Sequence, residues 1–588
     1  MPKIRAFDIE ADELLLKATK VWCMVVQDIE TKEIWKFGPD QIQQGIDLLM
    51  TSDMIVAHNG VMYDVPVLER LYGCKLPKCL DTLLVSRLVF PDKFFHPLGG
   101  NSLEDWGIFL KRHKKKYEGG FAAFTQEMLD YCVGDVELLS DIYQWQRKHA
   151  FKFKQAIRIE HDVAKIICQQ IQNGFTLDIP KAQALKETLR AASEAAASVI
   201  DKIIPPTYET QHFIECWKAG EYKFDTCKEA LAFGFKRKEI EKIMGSKVIE
   251  HKLNTNSGAQ IVEAMEKLYG WKPTVFKKDT GNPVMDADVL EEIDNPLAKA
   301  ITESRVLKKR AEFVESWLGF VMEDGRVHGS VITNGAPTGR MGHSDPNMAQ
   351  IPKSGKPWGH ECRDCWKARD GWVLVGADAS GLELRMLAHE MWKYDGGAYA
   401  KVILESDVHV ENQKAAGLSS RDQAKTFIYA LIYGAWDTKI GAIVGGSTKQ
   451  GKKLRDSFKA KLPAYAKVLD DILAEYKKNN KVIYGIDGRP LPVRAEYAAL
   501  NTELQSHGAV LMKQALICFH ESAQALYAGR YAYCANVHDE FQIECEPEIA
   551  HDLGKLMVSS ITKAGVVLGI KIRLDGEYKV GKTWAETH

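Results

Sequence analysis

The chain of 588 residues is too long for one compact core, and at roughly 150 residues per domain it should hold three to five units. It is 45% hydrophobic and 27% charged, as an ordinary globular protein is, and its formal net charge of -1 excludes a chain that is basic overall. Any grip on nucleic acid must come from local clusters.

The start, MPKIRAFDIEADELLL, lacks the apolar core of a signal peptide, and no stretch approaches the roughly 20 apolar residues that span a bilayer. The twelve cysteines are scattered, as in a cytoplasmic chain with reduced thiols, and Cys362-Arg-Asp-Cys365 has no partner pair nearby.

Residues 1 to about 150 read as α/β. Strands are expected at Lys3–Ile9, Val21–Asp28, Ile34–Phe37 and Ile55–Ala57, the last ending at a His-Asn-Gly turn, with a helix over Thr125–Trp145. From 151 to 320 the reading is mostly helical. Lys181–Ile204 is rich in Ala, Leu, Lys and Glu and is stopped by Pro205-Pro206. A second helical tract, Asp288–Phe320, carries Arg305, Lys308, Lys309 and Arg310, either a solvated face or a phosphate contact. Beyond Glu323 a strand is expected at Trp372–Asp378, helices at Leu382–Trp392 and Ala424–Tyr433, and a hairpin from Tyr531–Val537 and Phe541–Cys545.

Two acidic constellations stand out. In the first, Asp8 and Glu10 sit two apart at a strand end, so both carboxylates face one way. Asp64 follows a buried strand and a turn, and Tyr131 and Asp135 stack one helical turn apart. Carboxylates gathered in this way need cations, and hard oxygen donors suit Mg²⁺ or Mn²⁺. His58 and Asp81 lie close in sequence and read as structural.

In the second, Asp378 ends a strand that runs through a turn into a helix carrying Glu383, and Asp539 sits in a distant hairpin turn. Together they supply two aspartates from adjacent strands, as two-metal phosphoryl transfer requires. Between them Arg421, Lys425 and Tyr429 recur every fourth residue, a stripe that can grip a triphosphate with its basic half and stack on a base with its ring.

DASGLELR (378–385), RDQAKTFIYALIYG (421–434) and VHDE (537–540) resemble the three polymerase motifs of DNA polymerase family A. The likeness extends to Thr338-Gly-Arg340, Pro346–Pro352, Asp487-Gly-Arg489, Asn501–Gln505 and Trp584–His588. It is strongest to short phage replicative enzymes that begin directly with a 3′–5′ exonuclease. The first constellation is similar to the DEDDy exonuclease group.

The resemblance implies an α/β multidomain fold: an RNase H-like exonuclease domain at 1–150, connector and thumb at 151–320 with an insertion at 207–250, a first palm segment at 321–390, fingers at 391–501 and a second palm segment at 502–588. It implies two Mg²⁺ ions on Asp378 and Asp539 and two more on Asp8, Glu10, Asp64 and Asp135, with Mn²⁺ able to substitute, and Tyr131 orienting the attacking water. Arg421, Lys425 and His409 would meet the triphosphate, with Lys425 also a proton donor to the leaving group. Glu383 would exclude a ribose 2′-OH, and Tyr429 would adjoin the incoming sugar and favour dideoxynucleotide use. Arg340, Asn501 and Gln505 would read the minor groove, Tyr433 and Gly434 would place the template base, and His538 and Glu540 would support the primer end.

The implied partners are primer-template DNA and dNTPs, with no membrane, and the implied location is the cytoplasm, that of the host if a phage encodes the chain. The insertion, with Trp217, Tyr222, Phe224 and Phe233, is expected to grip duplex DNA, with docking of a processivity factor as the alternative. Lys111–Lys116 is expected to be a solvated loop, with guidance of a single strand toward the exonuclease as the alternative. A nuclease with an inert binding module would not need Asp378, Lys425 and Asp539 together, and Glu383 beside a proofreading domain argues against an RNA polymerase.

Overall fold

Apolar residues on both faces of the first strands require cover on both sides. The computed structural model describes all residues except Met1, 93–98, 113–116, 225 and 278–279, and not the side chains of 210–216 and 242–247. Strands β1 (Ile4–Ala11), β2 (Val21–Asp28), β3 (Ile34–Phe37), β4 (Met54–Ala57) and β5 (Cys79–Asp81) form one sheet in the order β3-β2-β1-β4-β5. The pairs β1–β2 and β2–β3 are antiparallel, whereas β4 runs parallel to both β1 and β5. Phe7 and Ile9 pack with Ile42, Ile46 and Leu49 on one face. Ala6, Val25 and Val56 pack with Met128, Cys132 and Val136 of helix Gln126–His149 on the other. Thr125 caps that helix, its hydroxyl accepting from the Met128 N–H at 3.1 Å. Of the basic run from Lys111 to Lys116, residues 113–116 lie outside the described residues.

The chain divides into two compact units, Met1–Asp178 with Phe320–His588, and Ile179–Gly319. Helix Lys154–Asn173 belongs to the first, and the second begins at Ile179. A buried network explains where that helix goes. Glu160 accepts from Lys513 Nζ at 2.5 Å and pairs with Arg489 at 2.7 Å, and Arg489 also pairs with Asp487 at 2.8 Å.

In the second unit, Ile179–Ile203 and Pro296–Gly319 pack along each other. The tract expected to run unbroken from Asp288 is split into Ala287–Glu291 and Pro296–Gly319. Pro296 has no N–H to continue a helix but suits its first turn, and Asn295 Oδ1 caps the new start by accepting from the Ala298 N–H at 2.8 Å. Arg305 turns inward and donates to the carbonyls of Thr255 and Met285, at 2.7 and 2.6 Å, while Lys308 and Lys309 are exposed. The insertion is a three-stranded antiparallel sheet in which Thr207–Ala219 lies between Tyr222–Phe224 and Glu241–His251. Ala219, Ala230 and Ile240 form its small core, with Trp217, Phe224 and Phe235 against it, and Tyr222 and Phe233 remain exposed.

The principal sheet of the first unit is antiparallel throughout, in the order Tyr531–Val537, Glu540–Cys545, Val373–Ala379, Gly576–Gly581. Helix Ala550–Val567 packs against it, and the long helix Ala499–Tyr527 packs against that helix. No room exists for a side chain at Gly376, where a Cβ would lie 2.1 Å from Gln542 Nε2 and 2.6 Å from the Thr587 carbonyl. Cys362 and Cys365 are buried, and Cys365 Sγ donates to the Glu361 carbonyl at 3.3 Å. Among the described residues no helix is long and apolar enough to cross a membrane.

Candidate active sites

The N-terminal site grows from the middle of its sheet. Asp8 and Glu10 leave β1 on one face, and Asp64 begins helix Asp64–Tyr72, its Oδ1 accepting from the Ile9 N–H at 3.3 Å. Asp135 and half-buried Tyr131 come from helix Gln126–His149. Burial raises the Asp8 carboxyl well above its usual range, and the charges of Asp64, Glu10 and Asp135 push it further. Burial also holds Asp64 up to about 7. Protons or cations must therefore offset a concentrated negative charge. The Cys132 thiol, which sequence reasoning passed over inside the segment that carries Tyr131 and Asp135, donates to the Asp8 carbonyl at 3.5 Å and lies 3.6 Å from Asp8 Oδ2. Asp81 lies outside the cluster: its carboxylate caps helix Thr82–Val89 and accepts from the Asn59 and Val61 N–H groups at 2.9 and 3.1 Å. His58 is held by Thr82 Oγ1 at 2.8 Å.

The second site lies at one end of the principal sheet. Asp378 stands opposite Glu540 across the paired strands, and Asp539 occupies the hairpin turn, its carbonyl accepting from the Ala379 N–H at 3.1 Å. His538, before it in the turn, has a left-handed backbone with φ of 56°. Burial raises the Asp378 carboxyl to about 7, with Asp539 and Glu540 adding to the effect. A cavity of about 210 Å³ opens beside the turn, and Arg340, Glu383, Tyr433, Gln505, His538 and Asp539 line it together with Lys353. Asn501 stands behind Gln505, accepting from its Nε2 at 3.0 Å. Burial raises the Tyr433 phenol, and the Glu383 carboxylate, to which it hydrogen-bonds, contributes to the rise.

Helix Arg421–Ile432 carries its stripe as the spacing predicts: Arg421 and Lys425 are exposed, Tyr429 is half-buried, and Phe427, Ile428 and Leu431 turn into the core. The Tyr429 ring stacks 6.3 Å from Tyr433 and lies 6.3 Å from His409. Arg421 Nε pairs with Asp407 at 2.6 Å, and Asp407 caps helix Val408–Ala416, its Oδ1 accepting from the His409 N–H at 2.9 Å. One carboxylate thus links the His409 helix to the basic helix. His409, Arg421 and Lys425 stand away from the cavity lining.

Glu540 lies opposite Asp378 across the paired strands. It is buried beneath Asp378, where it pairs with His588 Nδ1 at 2.8 Å and Arg363 at 3.4 Å and accepts from Trp584 Nε1 at 2.5 Å. Burial alone would raise its carboxyl, but the His588 hydrogen bond and the Arg363 charge outweigh it and hold the group at about 2. Arg363 also stacks over Trp584, 4.4 Å from the ring centroid. Nothing in the local sequence marks Arg363 or Lys353 as site residues. The Trp584–His588 segment was the one available signal.

The solved POL domain of Pol1 from M. smegmatis, in complex with DNA primer-template and dNTP, shares this fold with a TM-score of 0.79 at 18% identity, over 100% of this chain and 96% of that one. The sheet, the cleft beside it and the helices beyond it are those of a right-hand polymerase. The model of DNA polymerase family A matches residues 228–586. The DNA-directed DNA polymerases of Enterobacteria phage T3 and Escherichia phage T7 are each 33% identical to this chain over 99% of both sequences. The chain belongs to DNA polymerase family A.

Proposed function

We propose that this DNA polymerase is the replicative enzyme of a bacteriophage, extending a primer 3′-OH on a DNA template in the host cytoplasm and removing mispaired ends at its N-terminal site. The carrying observation is that Asp378 and Asp539, 161 positions apart by their numbers, meet on paired strands beside a cleft that also holds Arg340, Glu383, Tyr433 and Gln505. On this reading 1–150 is the exonuclease domain, 321–390 and 502–588 the palm, 391–501 the fingers, and 151–320 connector and thumb.

Divalent metal ions fit both sites. Asp378 and Asp539 are hard oxygen donors whose charges oppose each other, and so are Asp8, Glu10, Asp64 and Asp135. Two Mg²⁺ ions at each site would activate the attacking oxygen and neutralise the leaving one. The chain's own side chains do the rest. Arg421, Lys425 and His409 bind the triphosphate, and Lys425 supplies a proton to the departing pyrophosphate. Glu383, held by Tyr433, fills the space of a ribose 2′-OH, and Tyr429 beside the sugar admits dideoxynucleotides. Arg340, Asn501 and Gln505 donate to the acceptors every correct pair shows in the minor groove, while Tyr433 and Gly434 position the template base and His538 steadies the primer end. At the first site Tyr131 orients the attacking water.

The insertion at 207–250 grips duplex DNA. The exposed rings of Tyr222 and Phe233, 5.1 Å apart, favour a processivity factor as the second reading. Comparing primer-extension length with and without host thioredoxin separates the two. The central test is primer extension and 3′-end degradation by Asp378→Ala and Asp8→Ala. The first should lose synthesis alone and the second degradation alone. Loss of both activities in either variant would refute two separate centres.

A further inference from the structure

Behind the cleft, three helices bring together a buried cluster that neither active site uses. Helix Leu382–Asp395 contributes His389 and Glu390, and helix Ala499–Tyr527 contributes Glu503 and His507, four apart and so on one face. One ligand atom each of Glu390, Glu503 and His507 lies within 4.8 Å of the other two. His507 is 3% exposed and Glu503 7%. Both ring nitrogens of His507 and Oε2 of Glu503 are buried without a hydrogen-bond partner. Buried polar atoms in that state are costly and rare.

We propose that Glu390, Glu503 and His507 form a structural binding site for one zinc-class divalent cation, tying the helix that carries Glu383 to the helix that carries Asn501 and Gln505. His507 Nδ1 lies 3.4 Å from Glu390 Oε1. That is close to the edge of a tetrahedral zinc site, roughly 3.3 Å for bonds of about 2.0 Å. An imidazole with two carboxylates suits zinc better than magnesium, which prefers all-oxygen octahedra and retained water.

The surroundings fit the same charge. His389 Nδ1 accepts from the Lys571 N–H at 3.2 Å, which places the proton of the neutral ring on Nε2, 3.9 Å from Glu390 Oε1. His389 is therefore an orienting partner for Glu390, a usual companion of metal-bound groups, and not a fourth ligand. Helix Pro463–Lys478 adds Asp471 and Glu475 nearby; of the lysines that face the cluster, Lys393 is engaged by Asp471 at 2.7 Å and Lys571 lies on the His389 side. Glu390, at 17% side-chain exposure, leaves an entry path and room for a water as the remaining ligand.

The test uses the full chain, stripped with a chelator and titrated with zinc chloride in excess Mg²⁺, which occupies the two acidic centres. Cobalt(II) replaces zinc in a parallel titration. About one equivalent of zinc should be retained per chain, the melting temperature should rise, and cobalt should give the intense visible band of a tetrahedral site. His507→Ala and the near-isosteric Glu503→Gln should lose the equivalent, the band and the thermal shift, while Glu475→Gln and an Asp8→Ala/Asp378→Ala double variant should keep all three. Zinc retained equally by Glu503→Gln, or no retained equivalent and no band in the unsubstituted chain, would overturn the proposal. The second result needs no variant to fold.

Discussion

Glu540 is held in place beside Asp378 by buried partners. Its four partners, His588, Arg363, Trp584 and Gln542, fix the strand end on which Asp539 sits and share the burden of a charge buried next to Asp378. Removing that charge leaves Arg363, 2% exposed, without its counter-ion. Glu540→Gln should therefore cost about 3–5 kcal/mol of stability, read by urea unfolding, and lower synthesis more than 3′-end degradation. Equal stability of the two proteins would show that Trp584 stacking and the Pro352 carbonyl, which accepts from Arg363 Nε at 3.0 Å, suffice to hold Arg363. A different constraint acts at Gly434, where φ is +70° and a Cβ would lie 2.1 Å from the Tyr497 carbonyl oxygen. Both the left-handed backbone and the missing space require glycine. Gly434→Ala should cost about 1–3 kcal/mol and slow incorporation opposite every template base, as single-turnover extension would show.

At the scale of elements, the helix beginning at Pro296 offers the sharpest local test. The Asn295 side chain satisfies one of the four amide groups that every helix start leaves open. Asn295→Ala should lower stability by about 1 kcal/mol, measured by thermal melting, and leave synthesis unchanged at low temperature. That break was legible in the residues, Asn-Pro being a start signal, yet the surrounding helix formers concealed it. Strands β2 and β3 and the hairpin around Asp539 were readable for the opposite reason, because apolar runs end there at turn residues. Residues carried by a motif could be named from the sequence: Glu383, Tyr433 and Asp539 line one cavity, and the family resemblance had singled out all three. The metal-free details were not legible. The pairing of Arg421 with Asp407 and the inward turn of Arg305 depend on what stands opposite, and a sequence records neighbours in the chain, not neighbours in space. The insertion was ambiguous because its core is only three small or aliphatic residues, too few to impose a clear period.

For the whole molecule, buried histidines make one contribution to the response to acid. His161 accepts from the Asp81 N–H at 2.8 Å through Nε2, and its Nδ1 faces the Ile157 carbonyl at 2.7 Å, so the neutral ring satisfies both contacts. Burial lowers its basicity, and burial followed by the charge of His538 holds His343 down at about 4. An unfolded histidine takes its proton near 6.5 and the folded one does not, so the stability these rings contribute is complete above pH 6.5 and falls as the pH drops toward 4. For His343 the loss amounts to roughly 3 kcal/mol, at about 1.4 kcal/mol for each pH unit. The raised carboxyls of Asp64 and Asp378 act with the opposite sign over this window, so the histidine contribution is read as a difference: between pH 7 and pH 5 the urea midpoint of the unsubstituted chain should fall relative to that of His343→Asn. An unaltered slope would place the acid sensitivity in the other histidines.

The strand bearing Asp378 is interior to its sheet, flanked by Glu540–Cys545 on one edge and Gly576–Gly581 on the other. Every strand of the N-terminal sheet, by contrast, is complete by Asp81, and the helix that finishes its acidic cluster ends at His149. Emerging from the ribosome, the N-terminal sheet and its acidic cluster can thus close on themselves while most of the polypeptide is still unmade, whereas the sheet bearing Asp378 must wait for nearly the last codons. A nascent chain stalled near residue 570 should already trim single strands and yet be unable to add a nucleotide.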